Sequence, residues 1–247
     1  MRAVGRVALI TGGTRGLGLA IAEALGAAGH VPVVLYRNDT ASADAALERL
    51  RAVAPQAAAY AGDVDDDARL DAIVREVGET LGPIGVLVNN AFRSGRPPKK
   101  THELEVAAWL EDVATNLTGQ FVVTRACLPH MIDEGFGRVI FIGSLAQRGE
   151  AGRVAYATVK SALTGFAKTL AQEYARYGIT ANVVSPGFIE AGAFLRLPEE
   201  IQKRALAMVP SRRAGRAEEV ASLVVHLASE NGGYVTGQHI GVDGGAR

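Results

Sequence analysis

Tyr156 and Lys160 stand four residues apart in Val154-Ala-Tyr156-Ala-Thr-Val-Lys160-Ser-Ala-Leu163, so a helix here sends both side chains out of one face, one turn apart. A phenol with a pKa of about 10 is a poor acid or base near neutrality. A fixed ammonium one turn away favours the phenolate and lowers that value. The spacing therefore describes a proton-transfer site in which Lys160 tunes Tyr156. Upstream, the apolar run Val139-Ile-Phe-Ile142 continues through Gly143 to Ser144, whose hydroxyl is placed to hydrogen-bond a substrate oxygen held against the phenol.

Such groups need a scaffold that holds them at one point. Val7-Ala-Leu-Ile10 reads as an apolar strand, Thr11-Gly12-Gly13-Thr14-Arg15-Gly16-Leu17-Gly18 as a glycine-rich turn, and the Ala/Leu-rich stretch after it as a helix. This is the pattern of a nucleotide cradle. Gly12 permits the tight turn, Gly16 lets backbone approach a pyrophosphate at the helix N-terminus, and Gly18 allows close packing of helix on sheet.

Strands and helices then alternate. Strands are expected at 31–36, 57–60, 84–88, 139–142, 179–184 and 238–242, giving about seven with the first. Helices are expected at 42–53, 68–81, 104–134, 156–177 and 217–228. This alternation predicts a doubly wound parallel sheet with helices on both faces. Ligands in such sheets bind outside the carboxyl ends of the strands. The glycine loop, Arg37, Asp63, Asn89-Asn90, Ser144 and Pro186-Gly187 each follow a strand directly.

With 247 residues, 48% of them hydrophobic, the chain is expected to fold as one domain spanning 1–247, with a lid segment at about 190–212. The net charge is zero and no basic cluster exceeds Arg96-Pro-Pro-Lys99-Lys100, which argues against nucleic acid as a partner. A single cysteine, Cys127, rules out an internal disulfide and offers no metal set. The chain enters its first strand without a signal-peptide pattern, and no apolar run reaches the roughly 20 residues of a membrane span. A soluble, cytoplasmic protein with no membrane partner is expected.

Taken together, Thr11-Gly12-x-x-x-Gly16-x-Gly18, Asp63-Val64, Asn89-Asn90-Ala91, Asn116, Ser144, Tyr156-x-x-x-Lys160 and Pro186-Gly187 resemble the short-chain dehydrogenase/reductase family, in order and in spacing. Within it the chain most resembles the 3-oxoacyl-acyl-carrier-protein reductases, through Ser185-Pro-Gly-Phe-Ile189-Glu, Arg213-Ala-Gly-Arg-Ala-Glu-Glu-Val220, and Tyr234-Val-Thr-Gly-Gln238 with Val242-Asp-Gly-Gly245. The resemblance implies a Rossmann-type single domain and a catalytic tetrad. Tyr156 would donate the proton, Lys160 would depress its pKa and hold the nicotinamide ribose, Ser144 would orient the carbonyl, and Asn116 would anchor a water chain behind Lys160. It also implies cofactor contacts from Gly12, Thr14, Arg15, Gly16, Leu17 and Gly18. Asp63 and Val64 would meet the adenine, Asn90 and Ala91 would lie beneath the adenosine ribose, and Ile189, after Pro186 and Gly187, would offer its backbone to the carboxamide.

Cofactor choice follows from charge. An NAD site of this type places a carboxylate at the end of the second strand, whereas a basic residue there accommodates a 2′-phosphate. That strand ends Leu35-Tyr36-Arg37-Asn38, so Arg37 and Arg15 are read as a clamp and NADPH is expected over NADH. Asp39 is read as the start of the next helix. The expected reaction is reduction of a ketone, best a 3-oxoacyl thioester, to a secondary alcohol. A sugar, steroid or polyketide dehydrogenase and a non-catalytic dinucleotide sensor are the alternatives.

Three departures from the family pattern stand out. Phe92 follows Asn-Asn-Ala where glycine is usual, adding bulk near the nicotinamide. Ala191 replaces a threonine that would bond the carboxamide. Asp133-Glu134 occupies a place where carrier-protein reductases present basic residues, leaving Arg176 and Arg138 as candidates for docking an acidic carrier; an acyl carrier protein is therefore a doubtful partner. The helices around Leu110–Met131 and Ala155–Tyr174 carry apolar residues on more than one face, and relatives pair them, so a homotetramer is expected.

Overall fold

The computed structural model describes residues 5–93, 96–192 and 194–246. Seven strands, β1 Val7–Thr11, β2 Val31–Tyr36, β3 Ala58–Ala61, β4 Ile84–Asn89, β5 Gly137–Ile142, β6 Ile179–Pro186 and β7 His239–Val242, form one sheet in the order β3-β2-β1-β4-β5-β6-β7. Every neighbouring pair is parallel. Eight helices connect them: α1 Gly16–Ala27, α2 Thr40–Val53, α3 Asp67–Thr80, α4 Val106–Val113, α5 Gly119–Asp133, α6 Val154–Tyr174, α7 Glu199–Ala207 and α8 Ala217–Ala228.

The strands are apolar on both faces because both are covered. Leu9, Leu35, Leu87 and Phe141 point to one side with Ile73, Val123, Met131 and Leu163 of α3, α5 and α6. Ile10, Val34, Val88 and Ile142, one residue along, point to the other with Ile21, Leu25, Leu50 and Val224 of α1, α2 and α8. The period-two alternation of a strand thus feeds two separate cores. The strand order reverses between β1 and β4, and the crevice at that switch point is where such sheets bind ligands.

Local signals fix several boundaries. Asp39 and Asp66 cap α2 and α3, accepting from the backbone N–H groups of Ser42 at 3.1 Å and Arg69 at 3.0 Å, which satisfies donors a helix start leaves orphaned. Asp39 therefore opens the helix, as its position suggested. The unbroken helix expected at 104–134 is divided instead. Between α4 and α5 lies a π-helical turn, Ala114–Thr118, a feature common at functional sites. Asn116 sits in it and its Nδ2 donates to the Asp112 carbonyl one turn back, at 3.0 Å, a side-chain bond that competes with the regular backbone ladder. The segment expected as a lid, at about 190–212, contains a helix, α7, that is absent from the sequence expectation; Phe194 packs against Phe188, ring centroids 5.4 Å apart.

Arg138 is corrected by burial. It is 3% exposed, donates to the carbonyls of Ser229, Gly137 and Gly178 at 3.1, 2.8 and 3.0 Å, and lies over the Phe136 ring. A guanidinium committed to three carbonyls beside an interior strand does not dock a partner. Among the described residues, no helix is long and apolar enough to cross a membrane.

Candidate active site

α6 begins beside the carboxyl end of β5 and carries Tyr156 and Lys160 on one face. Ser144, just past β5, has extended backbone; its Oγ accepts from the Ala146 N–H at 3.2 Å, and its hydroxyl lies near enough to the Tyr156 phenol to pull its pKa down. Ser144 and Tyr156 are thus brought together as the motif predicted. The electrostatic relation between Tyr156 and Lys160 is not the one predicted. Burial pushes the Tyr156 phenol above its ordinary value, partly offset by the Ser144 hydrogen bond. Lys160 is fully enclosed, burial pulls its ammonium down to about 7, and its Nζ donates to the Ile142 carbonyl at 2.6 Å. Desolvation outweighs the pairwise charge effect here.

Phe92 contributes to the enclosure. Phe92 stands edge-on to Tyr156, with ring centroids 4.8 Å apart and planes at 84°, while Lys160 Nζ lies 4.7 Å from the Phe92 centroid. An aromatic ring where the family usually has glycine therefore touches both titratable groups of the helix.

Asn116 serves the same loop. Its Oδ1 accepts from the Arg93 N–H at 2.7 Å, its Nδ2 donates to the Arg93 carbonyl at 3.1 Å, and its own carbonyl accepts from Gln120 Nε2. The side chain is spent on the backbone of Arg93 and Asp112, and among the described residues no direct hydrogen bond joins it to Lys160.

A cleft of about 670 Å³ runs along the switch point. Its walls include Gly12, Thr14, Arg15, Gly16, Leu17 and Gly18 from the loop after β1, Arg37 after β2, Asp63 and Val64 after β3, and Asn90 and Ala91 after β4. Gly18 has no room for a side chain: a Cβ there would lie 2.3 Å from the Gly12 carbonyl oxygen. Gly16 has φ +54° and open space beside it, so nothing blocks approach to its backbone. Asn90 binds the loop to the sheet, Nδ2 donating to the Thr11 and Gly12 carbonyls at 3.0 Å each; the Thr11 hydroxyl accepts from the N–H groups of Asn90 and Ala91.

α1 starts here with no side-chain cap and no acidic residue in its first turn, leaving free N–H donors and a positive dipole end facing the cleft. That suits an anionic diphosphate. Pro186, Gly187 and Ile189 lie off the cleft wall. Pro186 is buried in β6, and the Ile189 carbonyl already accepts from the Ala191 N–H.

Two arginines that the sequence reading passed over line the cleft as well: Arg93 and Arg196. Arg93 is fixed by Asp63 at 3.0 Å and Asp65 at 3.5 Å, so Asp63 already holds a partner. Arg15 pairs with Asp39 at 3.5 Å. A second cavity, of about 310 Å³, opens on the other side of Phe92 and Arg93; Tyr156, Ala155, Leu104 and Pro97 form its apolar lining, with Lys99 and Arg153 among its cations.

A doubly wound parallel sheet with a glycine loop at its switch point and a Ser–Tyr–Lys cluster at the end of β5 defines an oxidoreductase of dinucleotide-binding architecture. The chain belongs to the short-chain dehydrogenase/reductase family. A family model described as enoyl-(acyl carrier protein) reductase matches residues 12–247. The chain is 39% identical over 245 residues to acetoacetyl-CoA reductase of Rhizobium meliloti (strain 1021), covering 97% of this chain and 98% of that one. It is 36% identical over 242 residues to the 3-oxoacyl-[acyl-carrier-protein] reductase FabG of Escherichia coli (strain K12), covering 98% and 97%. Among solved structures it is similar to a blue fluorescent protein from a metagenomic library in complex with NADPH, at 34% identity and a TM-score of 0.89 over 99% of each chain.

Proposed function

We propose that the protein is an NADPH-dependent reductase of a 3-oxoacyl thioester, giving the 3-hydroxyacyl product. The observation that carries this reading is that Phe92 and Arg93 line both the large cleft and the cavity that reaches Tyr156, with the Ser144 hydroxyl acting on the Tyr156 phenol. A dinucleotide in the cleft and a ketone in the cavity would meet at that pair.

The bound cofactor supplies hydride to the carbonyl carbon; the protein handles the proton. Because burial keeps the Tyr156 phenol protonated well past neutrality, Tyr156 is held as an acid ready to protonate the developing alkoxide, while Ser144 orients the oxygen. Oxidation of an alcohol would need the phenolate, which the same burial disfavours. Lys160 and Asn116 are proposed as positioning residues, Asn116 through its grip on the backbone of Arg93 and Asp112.

Support for NADPH comes from the end of β2. Arg37 lines the cleft and pairs with no carboxylate among the described residues, and Asp39, the nearest acid, is turned to cap α2. No carboxylate is left there for a ribose 2′-hydroxyl. The NADPH-bound structural relative agrees with this choice. The thioester is supported by the acetoacetyl-CoA and 3-oxoacyl relatives and by the mixed lining of the cavity at Tyr156, apolar within and cationic at Lys99 and Arg153. Exposed Val106, Leu110 and Phe121 on α4 and α5 support self-association through those helices, with a homotetramer as the assembly.

The test is NADPH oxidation followed against acetoacetyl-CoA, a 3-oxoacyl N-acetylcysteamine thioester and a panel of cyclic ketones. Turnover of the thioesters supports the reading; turnover confined to cyclic ketones, or none, overturns it.

A further inference from the structure

Next to the Ser144 turn lies a polar network that the mechanism above does not use. His239 opens β7 and is paired in register with Val183 of β6, so Ser185, two residues on, shares its face of the sheet. His239 Nε2 and Ser185 Oγ are 2.8 Å apart, and Ser185 is fully buried. The same hydroxyl lies directly against Gly143: a Cβ on that glycine would come within 2.2 Å of it. Gln147 presents its amide nitrogen to the same ring, in contact with Nε2 and 3.4 Å from Nδ1. The Gln147 backbone is tied to the active site twice. Its N–H donates to the Ser144 carbonyl at 3.2 Å, and its carbonyl accepts from Ser161 Oγ at 2.7 Å, beside Lys160 on α6. One imidazole thus grips the Gly143–Gln147 turn at both ends, through Ser185 and through Gln147.

We propose that His239 is a positioning residue for Ser144, holding the Gly143–Gln147 turn while its imidazole is neutral and releasing it on protonation, so that turnover falls in mild acid. The proposal rests on the reading of Ser144 as the group that orients the carbonyl. A neutral imidazole has one nitrogen that accepts; an imidazolium has two donors and no acceptor. Ser185 can adapt, since a hydroxyl both donates and accepts. The Gln147 amide nitrogen only donates, so protonation of the ring drives it away, and the Ser144 carbonyl is bonded to Gln147.

Two charged groups act on the ring, Arg148 at the end of the turn and Asp243 after β7, themselves 3.9 Å apart. Burial and Arg148 hold the imidazole below its ordinary 6.5, with Asp243 opposing them. His239 is therefore neutral at pH 7, and its transition falls on the acid side.

The test follows NADPH-dependent reduction of acetoacetyl-CoA between pH 5.5 and 8 in the unmodified protein, His239→Gln and Gln147→Leu, with NADPH dissociation constants and His239 ring NMR shifts at each pH. In the unmodified protein kcat should fall by about tenfold on acidification, the scale of one hydrogen bond, while NADPH affinity stays level. The His239 resonances should titrate with the same midpoint. His239→Gln, which has no titratable ring, should lose this acid limb, whereas a limb belonging to Lys160 would persist. Gln147→Leu should hold kcat down at every pH, with His239 still titrating by NMR. An acid limb that persists in His239→Gln overturns the proposal, and so does a kcat level with pH in the unmodified protein. Lowered thermal stability in the variants with an unaltered pH profile would make the network structural only and overturns it too. If the unmodified protein reduces no 3-oxoacyl thioester at any pH, the reductase reading fails and the proposal with it, an outcome distinct from a limb that persists in the variant.

Discussion

Phe92 meets Tyr156 edge to face at 4.8 Å, and that ring also screens Lys160. The result is a lysine whose charged form is disfavoured and a tyrosine whose neutral form is favoured. Both effects arise from removal of water, and both have measurable consequences.

The first is a pH dependence of stability. Lys160 titrates near 7 in the folded protein against an ordinary value of 10.5, so between those limits the unfolded chain binds more protons and stability rises with pH. Below about pH 7 the full cost of burying the charge is present. Lys160→Met should therefore stabilise most below pH 7, and its advantage should shrink as pH rises toward 10.5, by at most about 1.4 kcal/mol per pH unit. Urea unfolding of both proteins at pH 6.5 and 9.5 checks this; a constant difference would place Lys160 near its ordinary value.

Tyr156→Phe removes the proton donor and keeps the ring that packs on Phe92. Turnover should fall at least about a hundredfold, the usual contribution of a positioned general acid, with NADPH binding largely retained. Single-turnover kinetics alongside cofactor titration will separate the two. A variant with normal turnover would assign the proton to another group.

Arg37→Asp puts a carboxylate at the end of β2. NADPH affinity should drop by about thirtyfold or more, from loss of a charge-assisted bond and new repulsion, while NADH is spared. Titration with each cofactor gives the ratio directly, and equal losses would exclude a 2′-phosphate contact.

Carrier docking has little to rest on. Arg138 is buried, Arg176 is engaged by the Tyr177 hydroxyl at 2.7 Å, and Asp133 and Glu134 put negative charge at the end of α5. A carrier-linked substrate and the same acyl group on a short thiol should have kcat/KM values within about tenfold of each other, with shallow salt dependence. A thousandfold preference for the carrier form that collapses at high salt would point to a basic patch elsewhere.

Phe121, 51% exposed on α5, lies 6.2 Å from Phe166 of α6, centroid to centroid, and so marks the apolar face shared by the two helices. Phe121→Glu should shift the protein to a smaller species in light scattering after gel filtration, since a buried unpaired carboxylate is costly at an interface. An unchanged mass would move the interface off this face.

The sequence by itself determined what depends on near neighbours. Strand, glycine turn and helix at 7–27 are legible because alternation, backbone freedom and helix propensity act over a few residues, and Tyr156 and Lys160 share a face because four residues make one turn. The tertiary structure alone decided the rest. Lys160 is depressed because the fold buries it, with Phe92, distant in sequence, among the groups around it. Asp63 is partnered by Arg93 from the next loop but one, and Arg138, which reads as a surface cation, is swallowed between a strand edge and Ser229. α7 and Arg196 escaped notice because α7 is short and mostly polar, with Ala205 its one buried residue, and Arg196 is a lone cation in the turn before it. Desolvation and charge are sums over everything nearby in space, and a linear chain reports only the part of that sum lying within a few residues.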